Sequence, residues 1–236
     1  MDARDREYVL KTNPWNYLKN GIDDPASFEV GFAEVLGRGI FATDKSEWLA
    51  SRKIASHMFS GHALRTQMEH VFNRHADRVA TLLECSVANT GKYVDMQEVF
   101  QCAVFDAFCE IAFGVFPNAT DAAIEGRKPE FLFAFDFAQQ TTSTRFATDP
   151  ITWHLARLVG VLTGLGEEGE LVKQLKIIDD YVYKIIDDRL AEKDVSGRND
   201  LLSLYIQYSR SQSEPFSRED FRDIIVNCEL ISSPTK

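Results

Sequence analysis

The amino-acid sequence predicts a mainly α fold, and three features carry that expectation. Apolar residues recur at three- and four-residue spacing along most of the chain, with no sustained alternation of the kind that marks strands. A capping residue is followed three positions later by a carboxylate at Asp44 and Glu47, at Asp95 and Glu98, and at Ser217 and Asp220, the pattern of reciprocally capped helix starts. Val99 to Phe113 is apolar nearly all round, as a helix buried in the middle of a domain must be.

The elements follow in order. A short segment, about Asp5 to Thr12, gives way to the loop signals Asn13-Pro14 and Lys19-Asn20-Gly21. Gly37-Arg38-Gly39 interrupts the next apolar stretch. It begins like a phosphate-binding glycine pattern, but Ala42 fills the sixth position and no strand precedes it, so a loop is expected. Asp44 then caps a helix that carries Trp48 and Arg52 one turn apart on one face. Ser60-Gly61 separates it from a long helix with Leu64, Met68, Val71, Phe72, Val79, Leu82 and Leu83 in one stripe, ending before Asn89-Thr90-Gly91. Asp95 opens the buried segment and Gly114 stops it.

Pro117 to Pro129 reads as a polar connection. Phe131, Phe133, Phe135, Phe137 and Phe146 crowd the following segment, where Leu132, Ala134 and Ala138 fill the alternate positions and favour a helix over a strand; it ends near Asp149-Pro150. Beyond Trp153 to Leu165, an acidic stop at Gly166, Glu167, Glu168 and Gly169 precedes the clearest amphipathic helix, with Leu171, Leu175, Ile178, Val182, Ile185, Ile186 and Leu190 on one side. A loop from Lys193 to Asp200, a short helix from Leu201 to Tyr208 and a polar turn from Ser209 to Pro215 lead to the last helix. Its start carries a hydrophobic staple between Phe216 and Phe221, and Ile224, Ile225 and Cys228 continue it until Ser232-Ser233-Pro234. No repeat or flexible linker divides the chain, so residues 1–236 are read as a single domain.

Composition narrows the function classes. The chain has 236 residues, 44% apolar and 26% charged, an ordinary globular mix. A net charge of −10 with scattered Lys and Arg argues against a nucleic-acid surface, which needs clustered cations. Cys85, Cys102, Cys109 and Cys228 show no zinc or disulfide spacing and suit a reducing compartment. No apolar run is long enough for a signal peptide or a membrane span. Asn118-Ala119-Thr120 fits a glycosylation sequon, a pattern common by chance.

Hydrolase signatures are missing: there is no G-x-S-x-G elbow, H-E-x-x-H pair or P-loop. His57, His62, His70 and His75 lack the i, i+4 spacing of a metal pair, and Asp179-Asp180 and Asp187-Asp188 sit on the polar side of an amphipathic helix, where solvated carboxylates are expected. Trp48 and Arg52 differ. An indole N–H and a guanidinium one turn apart can together donate to a carboxylate held against the helix, although a solvent-facing stack is the common alternative for such a pair.

Gly39-Ile40-Phe41 followed by Trp48, Arg52, Lys53 and Phe59 resembles the approach to, and body of, helix C in the cytochrome P-450 family, the haem-thiolate monooxygenases. Tyr8 to Asn13 with Trp15-Asn16-Tyr17 resembles the helix B region of the plant and microbial fatty-acid ω-hydroxylases. Phe105 to Gly114 is similar to helix E, Ile177 to Lys193 to helix G, Asp200 to Ser203 to helix H, and Phe221 to Asn227 to the opening of helix I. The resemblance implies a partial cytochrome P-450 fold that lacks the N-terminal sheet region and the C-terminal haem-binding half. After Asn227 the sequence leaves the family pattern: Cys228 to Lys236 stands where an Ala-Gly-x-(Asp/Glu)-Thr segment is expected, and none of the four cysteines lies in the family's iron-ligating loop.

What the resemblance implies is haem b as cofactor, with Trp48 and Arg52 binding a propionate and Ile40 and Phe41 lining the substrate entrance, together with the Phe131 to Phe146 region unless those phenylalanines are simply core. The intact protein would insert oxygen from O2 into a long-chain fatty acid or similar lipid with electrons from an NADPH-dependent reductase, at the cytosolic face of the endoplasmic reticulum membrane. The chain alone, without the iron-binding cysteine, is expected to be inactive. The alternative is a non-enzymatic helical scaffold or the product of a degenerate gene.

Overall fold

The computed structural model describes residues 2–17, 27–58, 68–90, 93–192, 194, 195, 197, 198, 200–213 and 215–232. Among these residues the regular structure is entirely helical, as the periodicity predicts. The predicted breaks at Lys19-Asn20-Gly21 and Ser60-Gly61, the apolar Leu64, Phe59, Gly91 and the stop at Ser233-Pro234 lie outside the described residues.

Helix α1 (Ala3–Glu7) is capped by Asp2 in a reciprocal box with Asp5, then widens into a π-helical turn over Tyr8–Thr12. Helix α2 (Phe28–Leu36) starts at Ser27, whose hydroxyl accepts the Val30 N–H. Helices α3 (Lys45–Met58) and α4 (Glu69–Thr90) follow; α4 runs through Asn89 and Thr90 rather than stopping before them, and its Phe72 is exposed. The Glu47 carboxylate accepts from the Arg38 guanidinium of the preceding loop at 2.5 Å.

Helix α5 (Met96–Phe113) is capped by the Asp95 carboxylate, which accepts from the Gln97 and Glu98 N–H groups, and closes on Gly114 at a left-handed φ of 62°. It is the centre of one half of the molecule, with α4, α10 (Leu201–Arg210) and α11 (Arg218–Ser232) packed on it. Burial is one-sided: Val99, Phe105, Cys109, Ala112 and Phe113 are buried, whereas Phe100 and Val104 are half-exposed. The connection from Pro117 to Pro129 hides a helix, α6 (Ala119–Ile124). Its start is capped from α5: the Asp106 carboxylate accepts the Ala119 and Thr120 N–H groups at 2.8 and 2.9 Å and the Thr120 hydroxyl at 2.7 Å. Thr120, the third residue of the sequon, is thereby buried.

Helix α7 (Glu130–Thr144) confirms the helical reading of the phenylalanine-rich segment. Phe131 and Phe135 are core, stacked with each other at 5.8 Å; Phe131 also stacks on Phe105 and meets Tyr181 at a tilt, while Phe133 and Phe146 are half-exposed. Helix α8 (Pro150–Thr163) leads directly into α9 (Gly166–Leu190). The expected acidic stop is instead the first turn of α9, where Glu167 and Glu168 face the positive end of the helix dipole. The α9 stripe from Leu171 to Ile186 is buried and Leu190 is exposed at its end. Helix α10 extends two residues beyond Tyr208. The start of α11 is as predicted: Ser217 and Asp220 exchange hydrogen bonds, and Phe216 meets Phe221 at 5.8 Å. Asp179 and Asp187 are not simply solvated, since they bind Arg222 and Arg218 of α11.

Candidate functional site

The chain between α2 and α3 is seated on α11 by three consecutive polar contacts. Arg222, with its side chain 8% exposed, donates from Nη1 to the Val35 carbonyl at 2.7 Å and from Nη2 to that of Glu34 at 3.0 Å. These are carbonyls of the last turn of α2, which have no partner within their own helix. One residue on, the Asp223 carboxylate accepts the Arg38 N–H at 2.7 Å. One turn further, fully buried Asn227 donates to the Leu36 carbonyl at 2.6 Å and accepts the Phe41 N–H at 3.0 Å. The glycines of the predicted loop make this approach possible. A Cβ on Gly39 would lie 1.9 Å from the Asn227 amide, and one on Gly37, at a φ of 52°, would lie 2.1 Å from the Asp223 carboxyl.

The loop so fixed presents Ile40 and Phe41 to a cavity of about 90 Å³. Ser51 and Ala55 of α3, Phe108 of α5, Leu201 and Tyr205 of α10, and Ile224, Asn227 and Cys228 of α11 complete its wall. The lining is mostly apolar. The Tyr205 hydroxyl is turned to the Ser51 carbonyl at 3.0 Å, and burial pushes its phenol pKa up.

Trp48 and Arg52 lie on the stripe of α3 adjacent to Ser51 and Ala55, since residues 48, 51, 52 and 55 fall on one helical face. The Arg52 guanidinium stacks 4.9 Å from the centroid of the Trp48 ring. Arg52 is exposed, and among the described residues no carboxylate pairs with it. An exposed cation stacked on an indole beside an apolar cavity suits a carboxylate. The donor set therefore fits a haem propionate.

Three of the four thiols are buried. Burial pushes Cys102 up to about 11 and Cys228 up to about 12, and raises Cys109 well above its usual value, with the Glu229 carboxylate adding to the effect on Cys109. Cys109 donates to that carboxylate at 3.3 Å and is itself fully buried. Burial favours the protonated form of all three. Cys85 is exposed on α4. Among the described residues no group of three or more His, Cys, Asp or Glu could hold a metal ion.

Sequence reasoning marked Ile40, Phe41, Trp48 and Arg52, and the structure brings these four residues to one region. It missed Arg222, Asp223 and Asn227 as the residues that fix the loop. Their signal was present as polar side chains on a helix turn that otherwise carries Phe221, Ile225 and Val226 in the core.

A family model described as cytochrome P-450 matches residues 17–228. Cytochrome P-450 704C1 of Pinus taeda is 32% identical over 97% of this chain and 43% of its own length. Cytochrome P-450 86B1 of Arabidopsis thaliana is 30% identical over 99% of this chain and 41% of its own. The haem domain of cytochrome P-450DA superposes with a TM-score of 0.63 at 17% identity, covering 88% of this chain and 42% of that one. The chain thus spans less than half the length of the relatives it matches.

Proposed function

Because the chain belongs to the cytochrome P-450 family, we propose that it forms the part of a haem monooxygenase that holds one haem propionate and lines the entrance for a long-chain fatty acid or similar lipid. The observation that carries this reading is the placement of the Arg52–Trp48 stack, with Arg52 exposed, on the face of α3 that borders the apolar cavity rimmed by Ile40 and Phe41. In the family, haem supplies the activation of O2 when bound.

In this reading, Arg52 and the Trp48 indole N–H hold a propionate carboxylate by charge-assisted donation. Ile40 and Phe41 offer a methylene chain a surface with no hydrogen-bond demand, which selects apolar substrates by burial. In this reading the iron thiolate belongs to the part of the family length that this chain does not span. Reductase electrons and a site at the cytosolic face of the endoplasmic reticulum belong to the same proposal. Among the described residues, no helix is long and apolar enough to cross a membrane.

The test uses the longer haem protein in which this chain is proposed to sit. Arg52→Leu is expected to speed haem transfer to an apo-globin acceptor by about tenfold, the loss of one charge-assisted contact, with Arg52→Lys intermediate. Wild-type protein is expected to give a substrate-type spectral shift and hydroxylated product with long-chain fatty acids. Unchanged haem transfer in Arg52→Leu sinks the propionate assignment, and absence of both shift and product sinks the substrate class.

A further inference from the structure

We infer that Asn227 is a positioning residue that sets the regioselectivity of the proposed oxidation by fixing Phe41 and Ile40 over the cavity; this rests on the substrate reading above. Its side chain joins two roles. It forms part of the cavity wall, and it fixes the rim of the same cavity.

The chemistry calls for an amide at this position. One Nδ2 hydrogen goes to the Leu36 carbonyl at 2.6 Å and the other to the Asp223 carbonyl at 2.8 Å, while Oδ1 accepts the Phe41 N–H at 3.0 Å. Neighbouring donors and acceptors therefore fix the orientation of the amide. The residue is 0% exposed, so no water replaces a lost partner without reorganisation. A carboxylate of the same shape keeps the Phe41 bond but sets a negative charge against two carbonyl oxygens. An aliphatic side chain supplies neither bond. The Phe41 backbone is thus held at a point 186 residues away in sequence, and Gly39 packs so close to the Asn227 amide that an added Cβ would lie 1.9 Å from it, which leaves the loop little room to shift toward α11. A rim held so tightly presents Ile40 and Phe41 to a bound chain in one place, and a loosened rim lets that chain slide.

The experiment uses the longer haem protein in which this chain is proposed to sit, as wild type, Asn227→Asp, Asn227→Ala and Gly39→Ala, with two readouts. Hydrogen exchange over residues 37–43 is expected to accelerate about tenfold in Asn227→Ala and Gly39→Ala and less in Asn227→Asp, with residues 99–113 unchanged as the control for folding. The ratio of terminal to in-chain hydroxylation of a saturated fatty acid is expected to shift severalfold in the same order, more than total turnover falls. Unchanged exchange over 37–43 overturns the clamp. Faster exchange with an unchanged product ratio overturns the link to regioselectivity. A wild type that oxidises no fatty acid removes the substrate reading and the regioselectivity claim with it, while the exchange data still decide whether Asn227 fixes the rim.

Discussion

His75 is buried on α4 with its Nε2 2.9 Å from the Glu110 carboxylate, which also pairs with Arg74, and its Nδ1 has no hydrogen-bond partner. Burial pulls its pKa below 6.5; Asp106 opposes this, and Arg74 and Arg78 add to it. The unfolded chain therefore binds a proton at a higher pH than the native one. The resulting stability is fully present above pH 6.5 and is lost as pH falls through the lower native value. Urea midpoints followed from pH 7.5 downward are expected to fall below about 6.5 in wild type and to fall less in His75→Gln. Parallel curves for the two proteins would show that another group drives the loss. At this scale the sequence disclosed what is local. Trp48 and Arg52 were legible because the helical turn alone sets their relation, and their carboxylate-binding chemistry follows from residue type. Asn227 was legible only as part of a resemblance, since its partner Leu36 lies 191 residues away and no spacing rule reaches across that distance.

Between elements, Arg145 joins α2, α8 and α9. It donates to the Glu168 carboxylate through Nε and Nη2 at 3.1 and 2.7 Å, to Glu34 at 2.9 Å and to the Gly31 carbonyl at 2.9 Å, and it stacks on Trp153. With only 3% of its side chain exposed, removal strands buried carboxylates rather than merely losing an attraction. Arg157 stays beside both Glu34 and Glu168 and covers part of the loss. Arg145→Met is therefore expected to cost about 3 kcal/mol, the low end for a broken buried pair. The same variant with Glu168→Gln should recover part of it, and a denaturation series that finds the double variant no better would remove Arg145–Glu168 as the key pair. Element starts were legible where the cap is local, as at Ser217 and Asp220. They were not where the cap arrives from elsewhere: α6 starts on Asp106, which is 13 residues upstream of Ala119 and belongs to a different helix. The acidic turn of α9 was misread because Gly166 suggested a break, whereas carboxylates following it are what a helix N-terminus favours.

Across the molecule, the described helices form one apolar cluster from Val35 to Cys228, but two faces stay uncovered. On α5, Phe100 and Val104 are 58% and 48% exposed, and on α8 Ile151 and Leu162 are 80% and 75% exposed. Faces of this kind bind a hydrophobic dye and favour association. The same incompleteness governs haem. In the proposed reading Arg52 and Trp48 offer only peripheral contacts, while the bond that gives a haem-thiolate protein its identity is the one between iron and a deprotonated cysteine. Cys102, Cys109 and Cys228 are buried as neutral thiols on α5 and α11, and freeing any of them would open the core. The 236-residue chain alone, mixed with haemin, reduced and exposed to carbon monoxide, is expected to bind haem weakly and to lack the red-shifted thiolate band. Cys85 is the one exposed thiol among the described residues, so a thiolate band, if it appeared, should vanish in Cys85→Ser. A band that survives that substitution would mean that one of the core thiols reaches the iron, and the packing of α5 against α11 would then have to open to admit it.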